Sequence, residues 1–338
     1  MEQTTIDSNV ILYQLANTLK LDIEADCDEL LLNLPQEHGK GVIRGTQLSN
    51  GVNVIAFQCR FNQPVRIVQN TNYTYSPMRF IYVKTGSVKY TYNESNIHCE
   101  LNEEESAITA GNKNSGDFMA FNRNEDLEVL VIEINRDEFV ESNDCNLNSI
   151  DHSFAKIFRD TEGTVVFHWT SHYSIGISEC LDAIFNCKRD HSVKRFFLEG
   201  KVFEIFSHQL KMFGDDLKPK DHELVLRQAD VVLIREAKRI LSESLDEAPT
   251  IIELSRMVGI NQQKLKKGFK QIYHTTPYKF LRNARLNESR LLLLEGSTSV
   301  SEVAEKIGYS NKSHFAKRFK EKFGVLPREF VKEFKANI

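Results

Sequence analysis

The sequence contains no Cys-x-x-Cys pair. Its six cysteines, Cys27, Cys59, Cys99, Cys145, Cys180 and Cys187, are scattered through 338 residues. Such spacing offers no disulfide framework and reads as reduced thiols packed as small apolar side chains. Cys180 and Cys187, seven apart, leave a redox or metal pair open beside that packing reading. No apolar run reaches the roughly 20 residues of a membrane helix. Met1 to Asp7 have neither the basic start nor the apolar centre of a secretion signal, so the expected location is the cytoplasm, with no membrane partner. A His-x-His with downstream Glu and His is missing from the strand-rich half, which offers only His38 and His98. No metal and no cofactor is expected there. There is no phosphate-cradling loop, no nucleophile elbow and no cysteine in a reactive sequence context. The chain is not expected to be an enzyme.

Charge is unevenly spread. Residues 221–338 hold 22 Lys and Arg against 15 Asp and Glu, a net +7, which leaves a net −11 on residues 1–220. A basic C-terminal part joined to an acidic N-terminal part suits a DNA-binding domain carrying a partner domain that avoids phosphate.

Periodicity divides the chain. Residues 9–21 predict a short helix with Val10, Leu12, Leu15 and Leu19 inward, and residues 22–40 read as acidic and turn-like. From Gly41 the period is two, with Asn50-Gly51 marking a hairpin. Some eight short strands to Ile134 predict a small barrel or sandwich. From about Asn135 a helical period is expected, in which His168 and His172, four apart, could form a metal pair. Helices follow near 175–186 and 192–213. The second carries a broad stripe of Phe196, Leu198, Val202, Ile205, Phe206, Gln209, Leu210 and Phe213, which suits packing on the barrel or a dimer interface. Gly214 to Lys220 reads as a linker. Residues 223–242 form a helix with Ala229, Val232, Leu233, Ala237 and Ile240 inward.

The last hundred residues write one unit twice. Ile251–Ile260 and Val300–Tyr309 each give a short amphipathic helix ending in a glycine, Gly259 or Gly308, suited to a positive-φ turn. Each then resumes at a cap residue, Asn261 or Ser310, into a lysine-rich helix. Leu265, Phe269, Phe315, Phe319 and Phe323 form the inner face, and Pro277 to Leu294 reads as a connecting helix. Helix, glycine turn and basic helix make a helix-turn-helix, whose second helix can enter the major groove.

Gly308-Tyr309-Ser310, Phe315, Phe319, Phe323-Gly324-Val325, Pro327 and Phe330 resemble the DNA-binding domain of the AraC/XylS family of transcription regulators. The first copy is looser, with Ile260 where an aromatic is common and His274 in a segment where glycine is common. The resemblance implies a cupin-like barrel for a small effector in the N-terminal half. The expected fold class is therefore α+β. Residues 1–40 form a helix and arm, 41–135 a barrel effector domain, and 136–213 a helical region with a candidate dimer interface. Residues 214–222 are a linker and 223–338 a double helix-turn-helix domain. Leu34-Pro35, Gly39-Lys40-Gly41, Ile43-Arg44-Gly45 and Leu198 to Glu204 are similar to the subgroup of pyochelin-type siderophore regulators, which makes a siderophore one candidate effector.

The function expected is a ligand-responsive, sequence-specific regulator, an activator, reading two adjacent major-groove segments through helices 261–273 and 311–323. Base-reading candidates are Gln262, Gln263, Lys266 and Lys267, and Asn311, Lys312, Ser313, His314, Lys317 and Arg318. Gln pairs well with adenine and Lys with guanine. By resemblance the family's reading positions fall on Gln263, Lys266, Lys267, Lys312, Ser313 and Lys317, with arginine common where Lys267 and Lys317 stand. Phosphate candidates are Lys264, Lys270, Lys279, Arg282, Lys320 and Lys322. Double-stranded DNA, an effector, RNA polymerase and a second copy of the chain are the expected partners. The alternative is a DNA-binding module fused to an enzymatic or purely architectural N-terminal domain.

Overall fold

The computed structural model describes residues 9–26, 29–69, 77–92, 97–111, 117–148, 152–189, 191–217, 228–295 and 299–336. The chain divides into two compact units, Met1–Pro219 and Lys220–Ile338.

Among the described residues of the first unit, helix α1 (Val10–Leu19) precedes eleven strands: β1 (Glu24–Asp26), β2 (Glu29–Asn33), β3 (Gly39–Gln47), β4 (Val52–Phe61), β5 (Val65–Gln69), β6 (Pro77–Thr85), β7 (Val88–Tyr92), β8 (Ile97–Leu101), β9 (Glu105–Ala110), β10 (Asp117–Phe121) and β11 (Asp126–Asn135). Helices α2 (Arg136–Leu147) and α3 (His152–Arg159) follow. Strand β12 (Phe167–His172) and helices α4 (Ile175–Phe185) and α5 (His191–Leu217) complete the unit. An eight-stranded sheet runs β1-β2-β3-β4-β11-β6-β9-β12, and a four-stranded sheet runs β5-β10-β7-β8. Every strand pairing is antiparallel.

The larger sheet is buried on both faces, because alternate side chains point opposite ways along a strand. Ile55, Phe57, Ile81, Val83, Val129 and Val131 share a core with the smaller sheet and with Ile11, Leu12, Leu15 and Ala16 of α1. Val54, Ala56, Phe80, Tyr82, Leu130 and Ile132 face a second core with α2 to α5. This double burial explains why Val52 to Phe61 is nearly continuous in apolar residues instead of alternating. The expected barrel or sandwich with appended helices is present.

Several local expectations are corrected. Strands β1, β2 and β5 are additional to the expected set. The acidic residues of β1 and the exposed Val68 of β5 mask a two-residue period. The 168–172 stretch is an edge strand paired to β9, not a helix. His168 stands against Tyr90, and His172 lies 3.6 Å from Glu105. Val10 and Leu19 are only half-buried, and the inner face of α1 is Ile11, Leu12, Leu15 and Ala16. Helix α5 continues through Gly214 to Leu217, into the segment expected as a linker. Phe196 does not join the buried stripe of α5 and is 75 % exposed. Residues 218–227, the 93–96 turn, Cys27 and the side chains of His98 and Ala229 lie outside the described residues.

One polar row crosses the larger sheet. Asn53, Glu133, Arg79, Thr109 and His168 are successive cross-strand neighbours on the face shared with the smaller sheet. Arg79 Nε donates to Glu133 Oε2 at 2.7 Å, with both side chains almost fully buried. Removing one partner leaves a buried charge, which costs about 3–5 kcal/mol, whereas an apolar pair of similar volume can be neutral. Arg79→Met and Glu133→Leu are each expected to destabilise the N-terminal unit by about that much. In denaturant titrations the double variant should lose much less than the two single losses added together. Burial also lowers the proton affinity of His168, taking its pKa below the ordinary 6.5. Below that pH the unfolded chain binds the extra proton more readily, so stability falls as pH drops through this window. Melting curves at successive pH values should show this dependence weakened in His168→Gln.

Candidate nucleic-acid interface

Among the described residues the second unit has seven helices: α6 (Gln228–Glu243), α7 (Ile251–Met257), α8 (Gln262–Tyr273), α9 (Pro277–Glu295), α10 (Val300–Lys306), α11 (Lys312–Phe323) and α12 (Pro327–Ala336). Helices α7 and α8 form the first helix-turn-helix, and α10 and α11 the second. At 19 residues α9 is about 28 Å long. It packs against α6 on one side of the repeat and against α10, α11 and α12 on the other, so one helix carries both halves.

Each entry helix starts on a capping box, a pairing of Ser or Thr with a Glu three residues later. In α7, Thr250 Oγ1 accepts from the Glu253 N–H while the Glu253 carboxylate accepts from the Thr250 N–H. Ser299 and Glu302 repeat this at α10. These backbone N–H groups hold both carboxyls below the usual carboxylate range.

The turns are built as expected. Gly259 and Gly308 take φ values of 74° and 75°. The chain then reverses through Ile260 N–H to Ser255 O at 3.0 Å and Tyr309 N–H to Ala304 O at 2.9 Å. Asn261 caps α8 by accepting from the Lys264 N–H at 2.8 Å. In the second copy the cap is Asn311 rather than Ser310. Its side-chain oxygen accepts from the His314 N–H at 2.9 Å, one residue nearer the helix.

The inner faces fix the direction of the outer ones. Leu265, Phe269, Phe315 and Phe319 are buried, and Phe323 packs at the rim of the core shared by α9, α10 and α11. Opposite them, Gln262, Gln263, Lys266 and Lys267 are all exposed on α8. Lys312, Ser313, His314 and Lys317 are exposed on α11, with Arg318 half-buried beside them. Each set lies on the first two turns of its helix, where base edges are met. Lys270, Lys279 and Lys320 are exposed, and Arg282 and Lys322 are half-exposed.

Some of these side chains are already engaged. Lys264 Nζ lies 2.7 Å from Asp230, a nearly buried carboxylate in α6, so this phosphate candidate is instead a strut between α6 and α8. The inner face of α6 is accordingly Asp230, Ile234, Ala237 and Leu241, while Val232 points outward. Arg318 donates to Glu321 at 2.7 Å and to His314 Nε2 at 3.3 Å. Lys312 lies 3.1 Å from Glu305 with both groups exposed, a pairing of about 0–1 kcal/mol that phosphate or base contacts can displace. Asn311 offers its amide nitrogen outward, since the oxygen is spent on the cap.

Arg285 has a structural role that no sequence motif signals. From α9 its guanidinium donates to Leu245 O at 2.6 Å and Asp246 O at 3.2 Å. It lies directly against Gly308, where a Cβ would stand 2.3 Å from Asp246 O and 2.6 Å from the Arg285 guanidinium. Gly259 has open space around it. Gly259→Ala should therefore cost only the positive-φ penalty of about 1–2 kcal/mol. Gly308→Ala should cost distinctly more, because a backbone oxygen must also move. Thermal unfolding of the two variants compares them directly.

Residues 254–333 match the helix-turn-helix domain family, and residues 38–224 match the family described as the regulatory protein PchR N-terminal domain. The HTH-type transcriptional regulator ArgR of Pseudomonas aeruginosa is 28 % identical over 96 residues, covering 28 % of this chain and 29 % of that protein. The HTH-type transcriptional regulator GbdR of the same species is 30 % identical over 96 residues, covering 28 % of this chain and 26 % of that protein. The chain thus spans less than a third of the length of these curated relatives. A transcriptional regulator of the AraC-type DNA-binding class from Chromobacterium violaceum is 26 % identical over 32 % of this chain and 96 % of that structure, with a TM-score of 0.30.

Proposed function

The chain belongs to the family of regulatory proteins that carry the PchR N-terminal domain, and from that membership we propose that it is a ligand-responsive, sequence-specific transcription activator. It acts by binding, without an enzymatic step, in the cytoplasm where its DNA lies. The observation that carries the reading is the pair of recognition helices, α8 and α11, each set by a positive-φ glycine turn and joined by one continuous helix. Two such helices in one domain suit two major-groove segments about one helical turn apart.

Gln263, Lys266 and Lys267 read the first box, with Gln262 at its edge. Lys312, Ser313, His314 and Lys317 read the second, with Arg318 and Asn311 supporting it. Lys270, Lys279, Arg282, Lys320 and Lys322 supply phosphate contacts. These contribute affinity whatever the sequence and make it fall with salt. Lysine presents a point charge rather than a planar fork, so discrimination at Lys267 and Lys317 is softer than arginine would give.

RNA polymerase and a second copy of the chain are the proposed protein partners. The dimer reading is supported by α5, where Val193, Phe196 and Phe203 are exposed on both sides of Gly200, which has open space around it. A two-fold axis at this glycine sets Phe196 of one copy against Phe203 of the other, as an isologous contact requires. The signal is a small effector received by the N-terminal unit, with siderophores among the candidates. Its effect requires unequal affinity for two states of the protein.

Selection of random duplex DNA on the full chain at physiological salt should enrich two short boxes about ten base pairs apart. Uniform recovery of all sequences, with and without the acidic N-terminal unit, would overturn the reading. Lys317→Ala should weaken the selected site by about 1–3 kcal/mol while leaving random DNA nearly unchanged. Equal losses on both would make Lys317 a phosphate contact.

A further inference from the structure

A cavity of about 110 Å³ lies between the helix-facing side of β2, β3 and β4 and the start of α5. Its charged and polar lining is Glu29, Arg44, Thr46, Gln58 and Lys194. Val54, Ala56 and Phe185 are among its apolar walls, and Cys187 also lines it. The register explains the grouping. Arg44 sits opposite Ala56 on β4 and opposite Leu31 on β2, and Val54 and Gln58 flank Ala56 on the same face.

The charges in this cavity are unequal. Lys194 Nζ is held by both oxygens of Glu29, at 2.6 and 2.7 Å. Arg44 is half-buried, and among the described residues its one hydrogen-bond partner is the neutral Gln58, whose Oε1 accepts from NH1 at 2.8 Å. No carboxylate pairs with it among them. Gln58 in turn donates to Glu128 at 3.2 Å, but that carboxylate is met by Lys84 at 2.6 Å, a lysine that also lies 3.1 Å from Asp182. The lining therefore carries one positive charge in excess, on a guanidinium with donors to spare and a partly open cavity beside it. A partly desolvated guanidinium without a counter-charge is costly, and its planar fork fits a carboxylate with two parallel bonds.

We propose that this cavity is a binding site for a small monocarboxylate bearing an apolar group. The carboxylate pairs with Arg44 and Gln58, and the apolar group fills the space against Val54, Ala56 and Phe185. A single negative charge matches the lining, whereas a phosphate dianion overshoots it. The volume approaches that of cavities known to hold a benzene ring, about 150 Å³, so the apolar group is small. The site touches both the sheet and the first turns of α5, and its regulatory meaning rests on the reading that the N-terminal unit receives an effector.

Isothermal titration of the full chain with benzoate tests the site. Benzamide serves as the neutral isostere and inorganic phosphate as the tetrahedral anion. Benzoate should bind, with benzamide and phosphate at least about tenfold weaker. Arg44→Gln should weaken benzoate about tenfold, and Arg44→Lys, which keeps the charge without the fork, should fall between. Ala56→Leu fills the cavity while leaving Arg44 intact, and should also abolish binding. Melting curves show whether each variant folds, and Ala56→Leu decides if Arg44→Gln does not. Peptide-resolved alkylation should show Cys187 protected by benzoate in the unaltered protein. The site is overturned by absence of binding at millimolar benzoate, by equal affinity in folded Arg44→Gln, by tighter phosphate binding, or by unchanged Cys187 alkylation at saturation. Benzoate binding that leaves DNA affinity unchanged upholds the site and counts instead against ligand control of DNA binding.

Discussion

The left-handed residue between two short helices is the constraint on which the C-terminal half depends. At Gly259 and Gly308 the chain reverses in a single residue, and that reversal aims the recognition helix beyond it. The capping boxes at Thr250 and Ser299 define where each entry helix starts, and Asn261 and Asn311 define where each recognition helix starts. With start, turn and restart fixed, the burial of Leu265, Phe269, Phe315 and Phe319 leaves no freedom in which side chains face outward. The lysines do not choose their direction. They occupy the positions that the aromatic core leaves over.

The N-terminal unit solves a different problem. Its larger sheet is covered on one face by the smaller sheet and α1, and on the other by α2 to α5. On this sheet Arg79 is met by Glu133, and Glu29 by Lys194 of α5. Arg44, with an amide as its partner, stands out against that pattern.

Much of this is legible in the sequence, for identifiable reasons. The helix-turn-helix repeat shows because glycine, cap and apolar spacing recur at fixed offsets, and Asn50-Gly51 shows because few dipeptides accept its geometry. Strand β12 passes for a helix because His168 and His172, four apart, satisfy a strand's even period as well as a helix's turn. The inner face of α6 is hidden because Asp230 points inward to meet Lys264, which no hydrophobic count predicts. Lys264 itself illustrates the limit: a lysine on a recognition helix looks the same in sequence whether it meets a phosphate or a buried aspartate. The box at Ser299 and Glu302 is not among the sequence expectations, because its information lies in polar residues set between apolar ones.

The two copies are not equal in one respect. Helix α8 ends on His274 at φ 52°, where α11 ends on Gly324 at φ 83°. Histidine tolerates that conformation better than most residues, yet it still meets a steric cost that glycine escapes, on the order of 1 kcal/mol. The first half therefore lies closer to its own local opening than the second. In hydrogen exchange the amides of α8 would trade ahead of those of α11. Under the proposed two-box reading, the less rigid first copy would tolerate sequence drift in its box more readily than the second copy would in its own.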